Sequence, residues 1–358
     1  MIRKKSGVDI DLGNQVSAVA FAYAKETFTL RQGRKGRVAS KTEGGFSNLL
    51  IFGKERIGIA SDGIGTKAEV AERVQKFDTL GFDLVAMVAD DLAASGLEPT
   101  NLSNVIDVDF LDARIIEQLM KGLRDACRFA GMTITGGEIA ELGSRVSGYG
   151  NNMHFNWSAT AIGVLPENLT SDIDGSQVQA GDVIVSLKSK GFRSNGFSAA
   201  RRILQEKFGD AWHLEPFDTN STWGEKLLTP SLIYAPVITA IIANRIVPSG
   251  IAHITGGGIL DNLHRVLKMN GFGAELNNLY EPHPEMREIQ RLGNISDLNA
   301  YRWWNMGNGM LMILKPGDVD TALSVIRKAG YEGRIAGRVK KKREISVIRG
   351  KMSLKKSM

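Results

Sequence analysis

Cysteine is nearly absent from this sequence, which has Cys127 alone among its 358 residues. A single thiol excludes an internal disulfide and any metal centre built from several thiolates, and it is typical of a reducing compartment. A hydrophobic run long enough to cross a bilayer is also missing. The longest apolar segment, residues 232–247, contains Pro236 and Arg245 and predicts a buried amphipathic helix. We therefore expect no membrane partner.

The start of the chain, MIRKKSGVDIDLGNQV, has basic residues without the apolar core of a secretory signal, which favours a cytoplasmic protein. The formal net charge is +6, and much of the excess lies in IRKK near the start and in KKKRE and LKKSM at the end. Basic stripes interleaved with aromatic residues, zinc-finger spacings and helix-turn-helix patterns are lacking, so we expect no nucleic-acid partner. A basic surface remains compatible with an anionic small-molecule substrate.

The length and the alternation of apolar patterns predict two domains, each with its own core. Residues 56–62 indicate a strand and residues 112–131 a helix that ends at Gly131, and a similar alternation begins anew after about residue 168. Because the order is not a strict βαβ repeat, the pattern favours an α+β fold with mixed or antiparallel sheets. We expect an amino-terminal domain at 1–168, a carboxy-terminal domain at 169–345 and a solvated basic tail at 346–358.

One short stretch, SDGIGTK at 61–67, places an acid, two glycines and a lysine where a predicted strand gives way to a predicted helix. Backbone N–H groups and Lys67 could meet a phosphate there, and Asp62 could meet a cation. The spacing differs from that of the nucleotide P-loop. A tight turn followed by a capped helix explains the same residues equally well.

Further polar or glycine-rich turns follow along the chain. Asp90 and Asp91 are adjacent in a predicted helix, and Glu138 and Glu141 follow a double glycine. KGFRSNGFS, HITGGGILDN and WWNMGNGM each interrupt apolar elements. Each could be an ordinary turn, but together their carboxylates and glycines favour a phosphoryl-transfer site with Mg²⁺. Zinc spacings, a Gly-x-Ser-x-Gly elbow and a dinucleotide fingerprint are absent.

The ordered set of these blocks resembles one family over nearly the whole chain: phosphoribosylformylglycinamidine cyclo-ligase, or aminoimidazole ribonucleotide synthetase, of purine biosynthesis. The matching blocks are SGVDIDLGN, EGGFSNL, SDGIGTK, DTLGFDLVAM, GGEIAE, SNGFS, HITGGGILDNLHRVL and GNISDLNAYRWWNMGNGM. The resemblance implies an enzyme that uses ATP and Mg²⁺ to phosphorylate the formyl amide oxygen of formylglycinamidine ribonucleotide. The amidine nitrogen then attacks the activated carbon, phosphate leaves and the imidazole ring closes.

The resemblance also implies a fold, an assembly and residue roles. It implies a homodimer in which the mixed sheets of the amino-terminal domains meet, with a carboxy-terminal sheet flanked by helices. The implied metal ligands are Asp62, Asp91 and Glu138. The implied contacts to ATP phosphates are Gly63, Gly65, Thr66 and Lys67. The ribose phosphate or the phosphoryl group in transfer would meet Ser194, Asn195, Thr255, Gly256, Gly257 and Gly258. The implied catalytic set is Asp62, Lys67, Asp91, Glu138, Asn195 and His253.

Several positions depart from the family pattern in segments that would face ligands. The family usually has Asn-Asp-Leu where this chain has Asp90-Asp91-Leu92, and Leu-Asp-Tyr where it has Ser103-Asn104-Val105. Arg193 replaces a His, and His154-Phe155-Asn156 replaces Asp-Tyr-Asp. One carboxylate is gained and another lost, so we expect Asp90 to compensate for Asn104 if both belong to one acidic cluster.

Two alternatives remain at this point. A diverged relative could be an ATP-dependent kinase for thiamine monophosphate or selenide, although the early double-aspartate turn and the early cysteine expected of those kinases are missing. A non-catalytic paralogue is favoured by the amides at Asn104 and Asn156. The retention of Asp62, Lys67, Asp91 and Glu138 disfavours it.

Overall fold

The amino-terminal half of the protein is built on a mixed sheet. The computed structural model describes residues 10–39, 45–350 and 352–357, so the family block at 6–14 and the one at 43–49 lie partly outside the described residues. Within them the first sheet has the strand order β1-β2-β3-β6-β4-β5. Its strands are β1 (Arg37–Val38), β2 (Asn48–Phe52), β3 (Glu55–Gly63), β4 (Glu98–Val108), β5 (Thr133–Glu141) and β6 (Phe155–Val164). Among the described strands of this first sheet, β4 and β5 pair in parallel and the others pair antiparallel, which confirms the predicted mixed sheet.

Helices cover one face of this sheet. The helices of this half are α1 (Ile10–Glu26), α2 (Lys67–Val74), α3 (Leu80–Ala94) and α4 (Ala113–Ala130). The predicted helix at 112–131 is confirmed as α4, which is capped by the Asp112 carboxylate and ended by Gly131 in the left-handed region. Helix α3 packs against β3 and β6, and its apolar residues are buried. A Cβ on Gly81 of α3 would lie 2.1 Å from the carbonyl carbon of Gly122, so glycine permits the close approach of α4.

The second half contains a sheet with the strand order β13-β12-β9-β11-β7-β10-β8, flanked by helices as expected. Its strands are β7 (Val183–Lys188), β8 (Gly250–His253), β9 (Gly273–Leu276), β10 (Asn308–Leu314), β11 (Gly333–Lys340), β12 (Glu344–Arg349) and β13 (Met352–Ser357). Its helices are α5 (Phe197–Phe208), α6 (Trp223–Leu227), α7 (Ala235–Ala243), α8 (Gly258–Leu267), α9 (Pro284–Leu292), α10 (Asp297–Trp303) and α11 (Val319–Lys328). The connection from β6 to β7 contains the expected boundary near residue 168.

The basic tail expected at 346–358 is wrong for the residues that the structure describes, since they form most of β12 and β13. The reason is visible in the alternation of side chains: Ile345 and Val347 are fully buried, while Ser353 and Lys355 remain exposed. Strand periodicity therefore outweighs the local charge. The apolar segment at 232–247 forms α7 with Pro236 in its first turn. Across the described ranges, the helices are all too short or too polar for a membrane span.

Candidate active site

The SDGIGTK stretch forms a turn between β3 and α2. The Asp62 carboxylate accepts a hydrogen bond from the backbone N–H of Gly63 at 2.7 Å. A Cβ on Gly63 would lie 2.8 Å from the carbonyl oxygen of Trp157, and Gly65 has a φ of 57°. Both glycines are therefore required by the backbone. The strand, turn and helix predicted for this stretch are confirmed.

This turn forms one wall of a cavity of about 260 Å³ between the two domains. The other walls come from the SNGFS segment, the glycine loop before α8 and the end of α10. The lining residues are Gly65, Thr66, Ser194, Asn195, Gly196, Phe197, Ser198, Ala199, Gly256, Gly257, Arg302 and Trp303. The structure thus brings three of the predicted ligand-binding segments together.

Two helices begin at the wall of this cavity. Helix α5 follows Gly196 and helix α8 follows Gly257, and both glycines have left-handed backbones. The unpaired N–H groups and the dipole of a helix N-terminus favour an anion. Two further features of the cavity point the same way: Arg302 supplies a positive charge, and the buried Ser194 hydroxyl has no hydrogen-bond partner among the described residues. The arrangement suits a phosphate group.

The end of α10 fixes the shape of the glycine loop. A Cβ on Gly258 would lie 1.9 Å from the carbonyl oxygen of Tyr301, and one on Gly196 would lie 2.3 Å from Trp304. Glycine at both positions therefore lets the aromatic segment pack directly on the two helix starts. Arg302 and Trp303 in that segment were not singled out from the sequence. The sequence feature that could have identified them is their position a few residues before the glycines of WWNMGNGM.

Asp62 and Asp91 are neighbouring carboxylates with raised pKa values. Asp62 retains contact with solvent, but the surrounding protein excludes enough water to raise the pKa of its carboxyl to about 6, and the charge of Asp91 adds to the effect. Burial raises the pKa of Asp91 to about 7, although Arg265 and Arg193 oppose the shift. A divalent cation would compensate for both charges, and Mg²⁺ needs only one or two carboxylates when phosphate and water complete its ligands. The pair therefore fits Mg²⁺.

Behind Asp91 lies a buried polar network. The Nη2 atom of Arg193 lies 2.7 Å from Asp90 Oδ2 and 2.8 Å from His253 Nε2. His253 Nδ1 lies 2.7 Å from Asp91 Oδ1. Burial and the charge of Arg193 lower the pKa of His253 to about 3, so the imidazole is neutral.

The Lys67 side chain does not make the contact that the family resemblance implies. Its ammonium is fully buried and donates to the Asp83 carboxylate at 2.7 Å and to the carbonyl of Thr229 at 2.7 Å. Ser231 donates to the same carboxylate. Burial lowers the pKa of Lys67 against the opposing effect of Asp83. Because this ammonium is enclosed by protein, the structure contradicts the expected contact between Lys67 and ATP phosphates.

Glu138 also lies apart from the other expected metal ligands. It is exposed on β5, opposite Val105, and strands β6 and β4 separate β5 from the strand that carries Asp62. Over residues 10–39, 45–350 and 352–357, no three His, Cys, Asp or Glu side chains group in a way that could hold a metal ion. The metal site of three carboxylates expected from the resemblance is therefore not assembled within this chain.

The hypothesis of one acidic cluster is wrong as well. Asn104 is buried and accepts a hydrogen bond from Trp157 Nε1 at 2.9 Å, and Asn156 donates to Asp107 at 3.4 Å. Asp90 instead pairs with Arg193 and accepts from the N–H groups of Tyr234 and Ala235. Asp90 therefore compensates for another departure from the family pattern, the arginine at 193.

Two family models match this chain. The chain matches the family models described as AIR synthase related protein, N-terminal domain, at residues 48–165 and C-terminal domain at residues 179–350. The phosphoribosylformylglycinamidine cyclo-ligase of Thermoanaerobacter pseudethanolicus is 33% identical over 94% of this chain and 96% of that protein. The cyclo-ligase of Thermococcus kodakarensis is 34% identical over 90% of this chain and 91% of that protein.

Solved structures share the fold at low identity. A chain in the crystal structure of a HypE–HypF complex matches with a TM-score of 0.64 at 15% identity, with coverage of 94% of this chain and 99% of that chain. Thiamine-monophosphate kinase from Stenotrophomonas maltophilia has a TM-score of 0.60 at 15% identity, with coverage of 90% and 93%. HypE in complex with ATP has a TM-score of 0.60 at 16% identity, with coverage of 84% for both chains.

Proposed function

This chain belongs to the AIR synthase related protein family, and from its likeness to phosphoribosylformylglycinamidine cyclo-ligases we propose that it is an ATP-dependent cyclo-ligase of purine biosynthesis. The substrate would be formylglycinamidine ribonucleotide and the product aminoimidazole ribonucleotide. The proposal is based on the cavity where two helix N-termini, Arg302 and a Ser194 hydroxyl without a hydrogen-bond partner among the described residues converge. One wall of this cavity is the turn that follows Asp62. It has the features required to bind and align a phosphate.

The residues of this chain would neutralise the negative charge of the phosphates and align the reacting groups. An amide oxygen is a poor leaving group until it is phosphorylated, and phosphoryl transfer depends mainly on positioning and on neutralising negative charge. The N–H groups at the starts of α5 and α8, with Ser194, Asn195 and the Thr255–Gly258 loop, would hold the ribose phosphate or the phosphoryl group in transfer. Walls formed by Trp303 and Phe197 would limit the access of water to the activated amide.

Mg²⁺ is the metal that we propose for Asp62 and Asp91. When bound, it would neutralise the charge of ATP phosphates. Both carboxylates must be ionised to bind it, which the raised pKa values make dependent on pH. Asp91 would be kept in one orientation by the hydrogen bond from His253. Gly65 and Thr66 would offer backbone N–H groups to ATP, since the N–H of Gly63 already donates to Asp62. Lys67 stays buried against Asp83 and Thr229.

We also propose a cytoplasmic homodimer. The face of the first sheet that α3 leaves uncovered exposes Ile59, Val105 and Ile162 at 37%, 40% and 36%. Ile59 and Ile162 lie directly opposite each other on neighbouring strands, and exposed apolar patches of this kind are typical of interfaces. A partner that packs on this face would also approach Glu138 on β5, which could then act at the site of the other subunit.

The function is tested with purified protein, ATP, Mg²⁺ and formylglycinamidine ribonucleotide, and with the aminoimidazole product as the readout. Ring formation coupled to one ADP per turnover is expected. Folded protein that makes ADP and a stable phosphorylated compound without ring closure would instead establish a kinase. Folded protein with no turnover of ATP or ribonucleotide would establish the non-catalytic alternative. Arg302→Met should raise the KM for ribonucleotide, and Arg302→Lys should restore part of the affinity because it keeps the charge.

A further inference from the structure

We propose that Arg193 is a positioning residue: anchored by Asp90, it fixes His253 in the tautomer that carries its proton on Nδ1, and His253 in turn orients Asp91. The inference concerns a residue in which this chain departs from its family. It rests on the proposed function only for the role of Asp91 as a metal ligand.

The hydrogen-bonding capacities of the groups determine the direction of each contact. A guanidinium has five N–H donors and no acceptor. The two hydrogens of Arg193 Nη2 serve Asp90 Oδ2 at 2.7 Å and His253 Nε2 at 2.8 Å. His253 Nε2 must therefore be an unprotonated acceptor, so that the ring proton lies on Nδ1. Nδ1 donates it to Asp91 Oδ1 at 2.7 Å.

The arginine can adopt this role because its own position is fixed. Its side chain and that of Asp90 are 1% and 0% exposed. Arg193 Nη1 donates to the carbonyl of Leu232 at 2.9 Å, and the guanidinium carbon lies 4.9 Å from the centre of the Tyr234 ring. Asp90 Oδ1 is held by the N–H groups of Tyr234 and Ala235 at 2.7 and 2.8 Å. Both Nη atoms of Arg193 and both carboxylate oxygens of Asp90 therefore have fixed partners, while Arg193 Nε has none among the described residues.

The backbone supports the same conclusion. Arg193 has a φ of 63°, in the left-handed region that residues with a Cβ rarely adopt. Strain of this kind persists where surrounding contacts over-determine the conformation, and it clusters at functional sites. Here the strained residue contacts His253, which in turn contacts Asp91, the member of the network with the most exposed side chain, at 19%. The hydrogen bonds thus run from a rigid buried pair through His253 to the partly exposed carboxylate of Asp91.

The first experiment reads the tautomer in the free protein. Long-range ¹H–¹⁵N spectra of histidine-labelled protein should show His253 with a protonated Nδ1 and an unprotonated Nε2. The variant Asp90→Leu/Arg193→Met removes both charges together, which avoids an uncompensated buried ion. We expect it to lose the fixed tautomer, and Arg193→Lys to retain it because lysine can still donate to Nε2.

A matched control uses the other buried ion pair on α3. Lys67→Met/Asp83→Leu removes a pair of the same kind that makes no contact with His253. The His253 spectrum should be unchanged in this control. A wild-type spectrum with the proton on Nε2, or an equal change in the control, would overturn the proposal.

The second experiment measures Mn²⁺ binding calorimetrically and the Mg²⁺ dependence of turnover. Groups that orient a metal ligand typically alter metal affinity about 10–100-fold. We expect Asp90→Leu/Arg193→Met to weaken Mn²⁺ binding about tenfold or more, and Arg193→Lys to restore most of it. Unchanged Mn²⁺ affinity in the first variant would overturn the link to Asp91. If the wild type binds Mn²⁺ with the expected tautomer but forms no imidazole product, the proposed function fails while the positioning role stands.

Discussion

Arg193 and Asp90 lie on different domains and meet in a buried ion pair whose Nη2 and Oδ2 atoms are 2.7 Å apart. Both residues differ from the family pattern, which has a His and an Asn at these positions. Each change alone would place an uncompensated charge in the interior. The two departures look independent in the sequence. The structure shows that they are coupled, because the two new charges pair with each other.

A double-mutant cycle tests this exchange. Asp90→Asn and Arg193→His should each lower the free energy of unfolding by about 3–5 kcal/mol, because each leaves one buried partner of a broken pair. The double variant Asp90→Asn/Arg193→His should cost clearly less than the sum, since it removes both charges. The free energies of unfolding of the wild type, the two single variants and the double variant are measured by denaturant unfolding monitored by tryptophan fluorescence. Additive costs would mean that the two positions are not coupled.

Replacing Lys67 should affect stability more than nucleotide binding. Lys67→Met leaves the Asp83 carboxylate buried without its counter-ion, and we expect a loss of about 3–5 kcal/mol in the free energy of unfolding. Lys67→Met/Asp83→Leu should be closer to wild type. Calorimetric titration with a non-hydrolysable ATP analogue should show nearly the same affinity for the wild type and for both folded variants. A selective loss of nucleotide affinity in Lys67→Met, with stability intact, would restore the phosphate contact expected from the sequence.

Metal affinity should fall as the pH is lowered. The carboxyls of Asp62 and Asp91 have pKa values near 6 and 7, and protons compete with a cation for the ionised oxygens. The apparent Kd for Mn²⁺ should therefore be constant above about pH 8 and rise steeply below pH 7. Asp62→Asn should weaken binding throughout and make the remaining pH dependence shallower. A pH-independent Kd between 5.5 and 8 would contradict the assignment of these two ligands.

The same shift predicts a stability change in metal-free protein. A carboxyl whose pKa is higher in the folded state binds its proton more tightly there, so folding is weakened as the pH rises from about 4 to 7. Asp91→Asn should consequently raise the Tm of metal-free protein at pH 8 and change it little at pH 4, since asparagine can still accept from His253. Saturating Mg²⁺ should stabilise only the wild type. A variant that is less stable than wild type at pH 8 without metal would contradict the prediction.

The open face of the first sheet should control assembly. Ile162→Glu puts a charge opposite Ile59 on this face and should shift the protein from dimer to monomer in light scattering after gel filtration. Lys355→Glu, on an exposed residue of β13 far along the other sheet, is the control and should leave the mass unchanged. A wild type that is monomeric at micromolar concentration would remove the basis for this interface.

Local sequence patterns predicted more of the fold than of the site. The mixed sheet, the turn at Asp62 and the helix that ends at Gly131 all follow from periodicity and glycine placement, which act over a few residues. The roles of Ser194 and Gly257 were implied by the family resemblance, through its blocks SNGFS and HITGGGILDNLHRVL. Both line the same cavity.

The partners of buried charges could not be predicted in this way. Lys67 lies 16 residues from Asp83 in the sequence and Asp90 lies 103 residues from Arg193, so only tertiary packing brings each pair together. For Asp90 and Arg193 this is the packing of α3 against the second domain. A lysine after a glycine turn has the same local pattern whether it meets a phosphate or a carboxylate. The position of Glu138 depends on strand order, which is likewise a property of the whole sheet.

Helix α3 has a consequence for motion that goes beyond the site itself. Its Asp90 forms a buried ion pair with Arg193 of the second domain. Its Asp83, seven positions earlier, accepts a hydrogen bond from Ser231 of the second domain and pairs with Lys67, which donates to the carbonyl of Thr229. A hinge rotation that opened the interface along this helix would expose both pairs at once and would break contacts that are each costly to lose. We therefore expect the two domains to move as one rigid body during turnover. Ligand entry and release would then depend on the surface loops around the cavity, and their rates should respond to changes in those loops more than to changes at the domain boundary.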